Sequence, residues 1–266
     1  MNTFVHISDL HFGREIPAVI DGLLDILYET KPELVIISGD LTQRAKTEEY
    51  QAGSQFLRQL PFPYIIVPGN HDLSATHLPE RFFYPWDKWH QYVSPELEPI
   101  VRTAEYIAVG INTARAAGWY FDWSRGRVNE DQATRVQQIF QGVNDTTLRM
   151  VVAHHPFWLP DDYEHRDVVQ GRDEAMQAFQ QAGVDIILSG HIHLPYTRLL
   201  HGMIISHAGT TFSNRVLDNY NNSFNIIRGD RQRLEVDFME WKSPAFEVAG
   251  HQSFQRLTGV WQTVST

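Results

Sequence analysis

The feature of this sequence that most constrains its fold is an alternation of short apolar runs with amphipathic stretches. Residues 3–8 and 33–38 have the length and β-branched content of strands, whereas residues 16–30 carry apolar side chains at helical spacing. A predicted helix at residues 47–59 and a strand at 64–67 complete a βαβαβ series. That order is typical of a mainly parallel sheet with right-handed crossovers, so the sequence predicts an α/β fold.

The same alternation returns later in the chain. Strands are predicted at residues 106–111, 148–153 and 184–188, and helices at 129–140 and 173–182, with Asn129 as the cap of the first helix. From about residue 196 the pattern changes to short strands separated by turn residues, which indicates antiparallel pairing. We expect residues 1–266 to form a single domain with a mainly β C-terminal part from about 196.

An aromatic-rich insertion interrupts the alternation at residues 78–98, and a second aromatic group follows at 118–127. The first is expected to form a cap beside the predicted sheet. Dense aromatic side chains suit the packing of a core or lid, and they also suit the wall of a ligand pocket. The sequence leaves both interpretations open.

Composition excludes several classes of protein. The chain of 266 residues contains no cysteine, which rules out disulfide frameworks, thiolate zinc sites and cysteine nucleophiles. Its formal net charge is −10, and its cations are few and scattered along the sequence, which argues against a basic nucleic-acid groove. No apolar run approaches the roughly 18 residues that a membrane span needs, so we expect a cytoplasmic protein.

Five short polar segments each follow a predicted strand, and they contain six of the 13 histidines. In open α/β sheets ligands bind beyond the carboxyl ends of the strands, so we expect these segments to meet at one edge. A single Asp-x-His or His-x-His pair is commonplace, but buried Asp and His without partners are costly, so five in order are not explained by packing. The segments are Asp9-Leu10-His11, Gly39-Asp40, Gly69-Asn70-His71-Asp72, His154-His155-Pro156 and Gly190-His191-Ile192-His193.

Oxygen and imidazole ligands without thiolate suit Mn, Fe or Zn. The number of such side chains is sufficient for two divalent ions if one carboxylate bridges them. Two ions about 3.5–4 Å apart can hold the attacking and leaving oxygens of an in-line phosphoryl displacement. The sequence therefore predicts a two-metal site.

The order of these motifs resembles that of the calcineurin-like metallophosphoesterase superfamily and spans residues 9 to 193. The opening Ser8-Asp9-Leu10-His11-Phe12 and the closing Gly-His-x-His are most similar to the branch of class III cyclic-nucleotide phosphodiesterases and glycerophosphodiesterases. The resemblance implies two stacked mixed β-sheets flanked by helices, with the metals at their common edge. It also implies a phosphodiesterase in which a metal-bridging hydroxide attacks phosphorus.

The resemblance further assigns a role to each motif residue. Asp40 would bridge the two metals, His71 would protonate the leaving alkoxide, and Asp72 would orient the ring of His71. The remaining ligands divide between the two ions: Asp9, His11 and His193 for the first, and Asn70, His154 and His191 for the second.

Three further residues are candidates for substrate contact. His155 would either contact the substrate directly or support the metal ligands without touching substrate. Thr210 and Arg215 lie in or beside a turn rich in glycine and hydroxyl residues. That turn would either contact the substrate or have no role beyond reversing the chain. The other histidines are interpreted as packing or surface residues: His6, His77, His90, His165, His201, His207 and His251.

The predicted substrate is a small phosphodiester such as a cyclic nucleotide or a glycerophosphodiester. Two alternatives remain: a DNA nuclease of the same superfamily, and a metal-bound binding module without turnover. The sequence leaves the oligomeric state open, a dimer included.

Overall fold

Two mixed β-sheets stack face to face and are covered by helices on their outer faces, which confirms the predicted fold class. The computed structural model describes residues 1–75, 77–116, 124–163 and 166–264. Within them the seven-stranded sheet has the order β13-β12-β11-β10-β1-β2-β3, and the six-stranded sheet has the order β4-β5-β6-β7-β9-β8. Their strands are β1 (Asn2–Ile7), β2 (Leu34–Ile37), β3 (Tyr64–Ile66), β4 (Ile100–Arg102), β5 (Tyr106–Gly110), β6 (Leu148–Val152), β7 (Ile186–Ser189), β8 (Tyr196–Leu200), β9 (Met203–His207), β10 (Ser223–Gly229), β11 (Arg233–Lys242), β12 (Ala245–Leu257) and β13 (Val260–Val264).

Parallel pairing occupies one end of the seven-stranded sheet and the centre of the six-stranded sheet. β1, β2 and β3 pair in parallel in the first sheet, and β5, β6, β7 and β9 do so in the second. The carboxyl ends of these strands therefore meet at one edge of the sandwich. The C-terminal strands β10 to β13 pair antiparallel, as the change of pattern near residue 196 predicts.

Six α-helices are described, and their positions agree closely with the sequence periodicity. The second helix has the predicted bounds, and Asn129 caps the fifth, where its side chain accepts a hydrogen bond of 2.8 Å from the Gln132 amide. The insertion at 78–98 forms two short helices. The helices are α1 (Pro17–Thr30), α2 (Thr47–Gln59), α3 (Leu78–Phe83), α4 (Asp87–Tyr92), α5 (Glu130–Phe140) and α6 (Arg172–Gln181).

Three apolar layers hold the sandwich together. The layer between the sheets contains Phe4, Ile36, Met150 and Leu188, all fully buried. A second layer joins the first sheet to α1, α2 and α4, and a third joins the second sheet to α5 and α6. Both faces of each central strand are thus covered, which explains why these strands are continuous apolar runs.

Trp89 of α4 is fully buried in the second layer, whereas Phe83 and Tyr84 at the end of α3 are exposed. The insertion thus contributes partly to packing. Trp119, Tyr120, Phe121, Trp123 and His165 lie outside the described residues. No described helix is long and apolar enough to cross a lipid bilayer.

Candidate metal centre

Seven predicted ligands lie together at the carboxyl edge of the two sheets. Asp9 and His11 follow β1, Asp40 follows β2, and Asn70 opens a 3₁₀ turn after β3. The other three come from the second sheet, where His154 follows β6, and His191 and His193 follow β7. The structure therefore brings together every residue that the sequence predicts as a ligand.

The backbone at this edge turns sharply so that side chains point inward. Asp9, Asp40 and His193 have left-handed φ angles of 52°, 52° and 60°, a conformation that is uncommon for residues other than glycine. Gly39, at φ 96°, begins one of these turns. At Gly190 the chain passes so close to its neighbours that a Cβ would lie 1.9 Å from the Ser8 hydroxyl oxygen.

One triad of ligand atoms consists of Asp9, His11 and His193. The Nε2 atoms of the two histidines are 3.2 Å apart, and Asp9 Oδ1 lies 3.2 Å from His193 Nε2 and 3.7 Å from His11 Nε2. All three side chains are buried. The three atoms therefore converge on a common point.

A second triad consists of Asn70, His154 and His191. Asn70 Oδ1 lies 3.1 Å from His154 Nε2 and 3.0 Å from His191 Nδ1, and these two nitrogens are 3.3 Å apart. Asp40 stands between the triads, because its Oδ2 lies 3.3 Å from His154 Nε2 and 3.7 Å from His11 Nε2. It has the position that a bridging carboxylate requires.

The chemistry of these donors fits two divalent cations. The outer nitrogens of His11, His154 and His193 donate to the backbone carbonyls of Thr42, Ser38 and Arg215, at 3.3, 2.8 and 2.6 Å. When these rings are neutral, as metal ligands must be, their inner nitrogens carry lone pairs that point toward the other ligand atoms of the triads. Atoms bound about 2.0–2.2 Å from one ion stand roughly 3.0–3.5 Å apart, so a cation in each triad converts this repulsion into coordination.

Other hydrogen bonds fix the carboxylates. Asp9 Oδ2 accepts from the Ser8 hydroxyl at 2.7 Å and from the His191 amide at 2.9 Å, which leaves Oδ1 for the first triad. Asp40 Oδ1 accepts from the His71 amide at 2.8 Å. The supporting role of Ser8 was missed by sequence reasoning, although its place directly before Asp9 in the motif was a signal.

The electrostatics of the cluster reflect its buried negative charge. Burial alone would raise the pKa of Asp40, but His154, His71 and His11 around it hold that pKa well below its usual range. Burial opposes the charged form of His154, yet the Asp40 carboxylate beside it raises the pKa of that ring to about 9. Two carboxylates among imidazoles thus form a site that favours positive charge.

His71 lies beside the first triad, and its ring centroid is 4.9 Å from that of His11. Its Nδ1 donates to the Gln43 carbonyl at 2.7 Å, and its Nε2 accepts from Arg215 Nη1 at 3.0 Å. Arg215 Nη1 also lies 3.2 Å from His11 Nε2. The structure therefore places the sequence-predicted Arg215 at the metal centre.

The structure does not show the predicted contact between Asp72 and the ring of His71, so a catalytic role for Asp72 stays a prediction. Its carboxylate does not hold the ring of His71, which Gln43 holds instead. It is buried and accepts from the amides of Leu41, Thr42 and Gly69, at 3.2, 2.8 and 2.9 Å, and from the Thr42 hydroxyl at 3.0 Å. Asp72 thereby joins the loop after β2 to the loop after β3.

Substrate contact by Thr210 and His155 stays a prediction, and in the structure both side chains already have partners within the protein. The Thr210 hydroxyl is buried and donates to the Asp9 carbonyl at 2.7 Å. Both ring nitrogens of His155 are engaged, at 2.7 Å with the Thr113 hydroxyl and at 2.8 Å with the Ser124 carbonyl. Burial lowers the pKa of His155 to about 3, and its ring supports His191 at a centroid distance of 4.6 Å.

The family model for calcineurin-like phosphoesterases matches residues 3–195, a segment that contains all seven ligand side chains. The chain belongs to this family. The match ends before β8, so the remaining strands lie outside it.

Two curated proteins and one solved structure show the range of similarity. The chain is 26% identical over 195 residues to "Probable glycerophosphodiester phosphodiesterase GpdQ" of Arcobacter nitrofigilis, a match that covers 71% of this chain and 66% of that protein, just under two thirds. It is 23% identical over 208 residues to "Probable cyclic nucleotide phosphodiesterase syc0937_d" of a Synechococcus strain, covering 72% and 73% of the two chains. A dimetal phosphatase from Danio rerio shares the fold, with a TM-score of 0.66, 11% identity, and coverage of 95% and 98%.

Proposed function

We propose that the protein is a phosphodiesterase that uses two divalent metal ions to hydrolyse small phosphodiesters. One observation carries the proposal: two triads of inward-facing lone pairs share the Asp40 carboxylate, which lies 3.3 Å from a nitrogen of one triad and 3.7 Å from a nitrogen of the other. When bound, two such ions would lower the pKa of a water molecule and neutralise charge on the phosphate. Mn, Fe or Zn suits the mixed oxygen and imidazole donors.

Arg215 would bind the phosphate from the side of His71. Its guanidinium has no ion pair with a described carboxylate, and it reaches the metal centre through Nη1. An unpaired guanidinium beside a metal site suits an anionic phosphoryl oxygen, with which it forms charge-assisted hydrogen bonds. The Arg215 carbonyl, which orients His193, fixes the start of this side chain at the site.

His71 would deliver a proton to the leaving alkoxide. Because Nδ1 is held by the Gln43 carbonyl, only Nε2 faces the reacting group. In the structure Nε2 accepts from Arg215 and carries no proton, so Arg215 would have to turn to the phosphate and Nε2 would have to take up a proton from solvent before the ring could act as the acid. A positioned acid contributes roughly 10²–10⁴ in rate where the leaving group needs a proton.

The names of the two relatives suggest glycerophosphodiesters and cyclic nucleotides as substrates. The decisive experiment compares bis-p-nitrophenyl phosphate, a diester, with p-nitrophenyl phosphate, a monoester, after manganese loading. We expect the diester to be hydrolysed faster and Asp40→Ala to abolish that activity. Asp21→Ala, which removes an exposed carboxylate from α1, is the matched control and should retain it.

A strong preference for the monoester would contradict the proposal. So would hydrolysis that survives Asp40→Ala, because that result would place the reaction outside the metal centre. A panel of cyclic nucleotides, glycerophosphodiesters, nucleotide sugars and single-stranded DNA would then identify the substrate class among the diesters.

A further inference from the structure

Four cations from three segments that are distant in sequence lie on loops beside the metal centre. Arg14, Arg44, Lys46 and Arg215 lie on three loops that follow β1, β2 and β9. We call these four residues the basic rim. The cations appear scattered along the sequence, and only the fold shows that these four share one edge.

Backbone hydrogen bonds join the three loops directly. The Phe12 amide donates to the Leu41 carbonyl at 2.9 Å, and the Gln43 amide donates back to the Phe12 carbonyl at 3.1 Å. On the other side, the Asn214 amide donates to the Arg14 carbonyl at 2.9 Å. The segment that carries Arg14 is thus hydrogen-bonded to both of the other loops, through one isolated β-bridge on each side.

No side chain of the rim is ion-paired with a described carboxylate, although Glu15, Glu48 and Glu49 lie on the same segments. Arg14, Arg44 and Lys46 are exposed, and none of them forms an ion pair with a carboxylate in the described ranges. The nearby Glu15 accepts from the Gly13 amide. Glu49 is turned to the backbone amides of Arg44 and Lys46 rather than to their side chains, at 2.7 and 3.3 Å.

Two helix N-termini add to the positive potential of this edge. α1 begins at Pro17 without an acidic residue in its first turn or a side-chain cap, and α2 begins at Thr47 directly after Lys46. Glu48 and Glu49 in the first turn of α2 offset part of its dipole. A cation beside the positive end of a helix is unfavourable on its own, and a bound anion would relieve this repulsion.

The rim borders the metal centre on the side of His71. Gln43, whose carbonyl holds His71, directly precedes Arg44, and Arg215 contacts the other nitrogen of the same ring. A substrate whose phosphate occupies the metal centre would therefore extend one of its two alcohols toward the rim.

We propose that the basic rim binds a second anionic group, so that the preferred substrate is a small phosphodiester whose alcohol carries a further phosphate. This inference rests on the proposed phosphodiesterase function. It accounts for a concentration of unpaired cations at one edge of a chain whose formal net charge is −10. Each contact between an exposed cation and the second phosphate should contribute up to roughly fivefold in affinity, so two or more contacts together give roughly tenfold or more.

Calorimetry on the manganese-loaded protein tests the rim without relying on turnover. Thymidine 3′,5′-bisphosphate should bind at least about tenfold more tightly than thymidine 5′-monophosphate, and the ratio should fall as salt is raised. The Arg14→Gln/Arg44→Gln double variant should bring the ratio close to one. Arg58→Gln, at the far end of α2, removes an exposed arginine elsewhere and should leave the ratio unchanged.

Turnover provides the second measurement. The dinucleotide TpT and its terminally phosphorylated forms pTpT and TpTp share the same diester, and at least one phosphorylated form should show the higher kcat/KM. Equal binding of the two thymidine phosphates, or a ratio that survives in the double variant, would overturn the rim proposal while leaving the phosphodiesterase intact. Rim-dependent binding without hydrolysis of any diester would instead overturn the proposed function.

Discussion

Replacing Asp72 by Ala should destabilise the protein strongly, because the carboxylate joins two ligand-bearing loops. The substitution would remove the acceptor of three backbone amides and one hydroxyl, all at 2.8–3.2 Å and around a side chain that is only 1% exposed. A buried donor left unsatisfied costs about 1–3 kcal/mol. Because water entering the space would satisfy some of these donors, we expect a total loss of about 3–5 kcal/mol in the free energy of unfolding.

Thermal unfolding of the metal-free protein measures this loss without a contribution from metal binding. For a chain of this size the loss corresponds to a decrease in Tm of roughly 6–20 °C. Asp72→Asn should give an intermediate decrease, because its oxygen can still accept from Thr42 whereas its amide would face the Leu41 and Gly69 amides. Asp162→Ala is the matched control, since it removes an exposed aspartate from the other described 3₁₀ turn, Asp161–Tyr163.

A Tm for Asp72→Ala within about 2 °C of the native value would refute this reasoning. If Asp72→Asn instead lowered turnover while the Tm stayed unchanged, Asp72 would have the catalytic orienting role that the sequence predicts. The two outcomes separate a structural carboxylate from a catalytic one.

Three further predictions address the metals, the proton donor and acid stability. Elemental analysis of the manganese-loaded protein should give close to two equivalents of manganese per chain. Asp40→Ala should lower the occupancy of both metal sites and Asn70→Ala mainly that of one, so an equal loss of manganese in the two variants would contradict a bridging Asp40. His71→Ala should retain both metals yet lose roughly 10²–10⁴ in rate on alkyl diesters and far less on bis-p-nitrophenyl phosphate, whose leaving group needs no proton; parallel losses would remove His71 from the acid role. Burial lowers the pKa of His207 to about 3, so the ring is neutral in the folded protein, and the free energy of unfolding should fall by up to about 1.4 kcal/mol per pH unit as the pH drops below about 6.5. In denaturant unfolding, His207→Phe should lose less stability per pH unit than the native protein, and equal dependence on pH in the two proteins would contradict this role of His207.

The secondary structure and the ligand set could be predicted because each depends on residues close together in sequence. Strand-length apolar runs fixed the strand ends within a few residues, and the polar side chains directly after them had to meet at one edge once the strands paired in parallel. The short strand β4 was missed, because its Ile-Val-Arg run carries no alternating pattern and pairs only at the sheet edge.

The partners of individual side chains could not be predicted in the same way. Asp72 is adjacent to His71 in sequence, but its acceptors are engaged by residues of a loop about 30 positions away. The hydroxyl of Thr210 reaches Asp9 across 201 positions, and the basic rim joins three loops by the same kind of long-range contact. Such contacts depend on how the loops pack, and nothing in the local pattern of residues determines that packing.

The strained backbone of the ligand loops connects the fold to the function. Ten non-glycine residues in the described ranges have positive φ, and five of them are ligands: Asp9, His11, Asp40, His191 and His193. Each such residue costs of order 1–3 kcal/mol, so the surrounding structure must hold it in place. The buried strands before these loops and the carbonyls that fix the imidazoles provide that support. Contacts within the polypeptide therefore contribute to holding the ligand atoms in place, in addition to any bond that a metal would form with them.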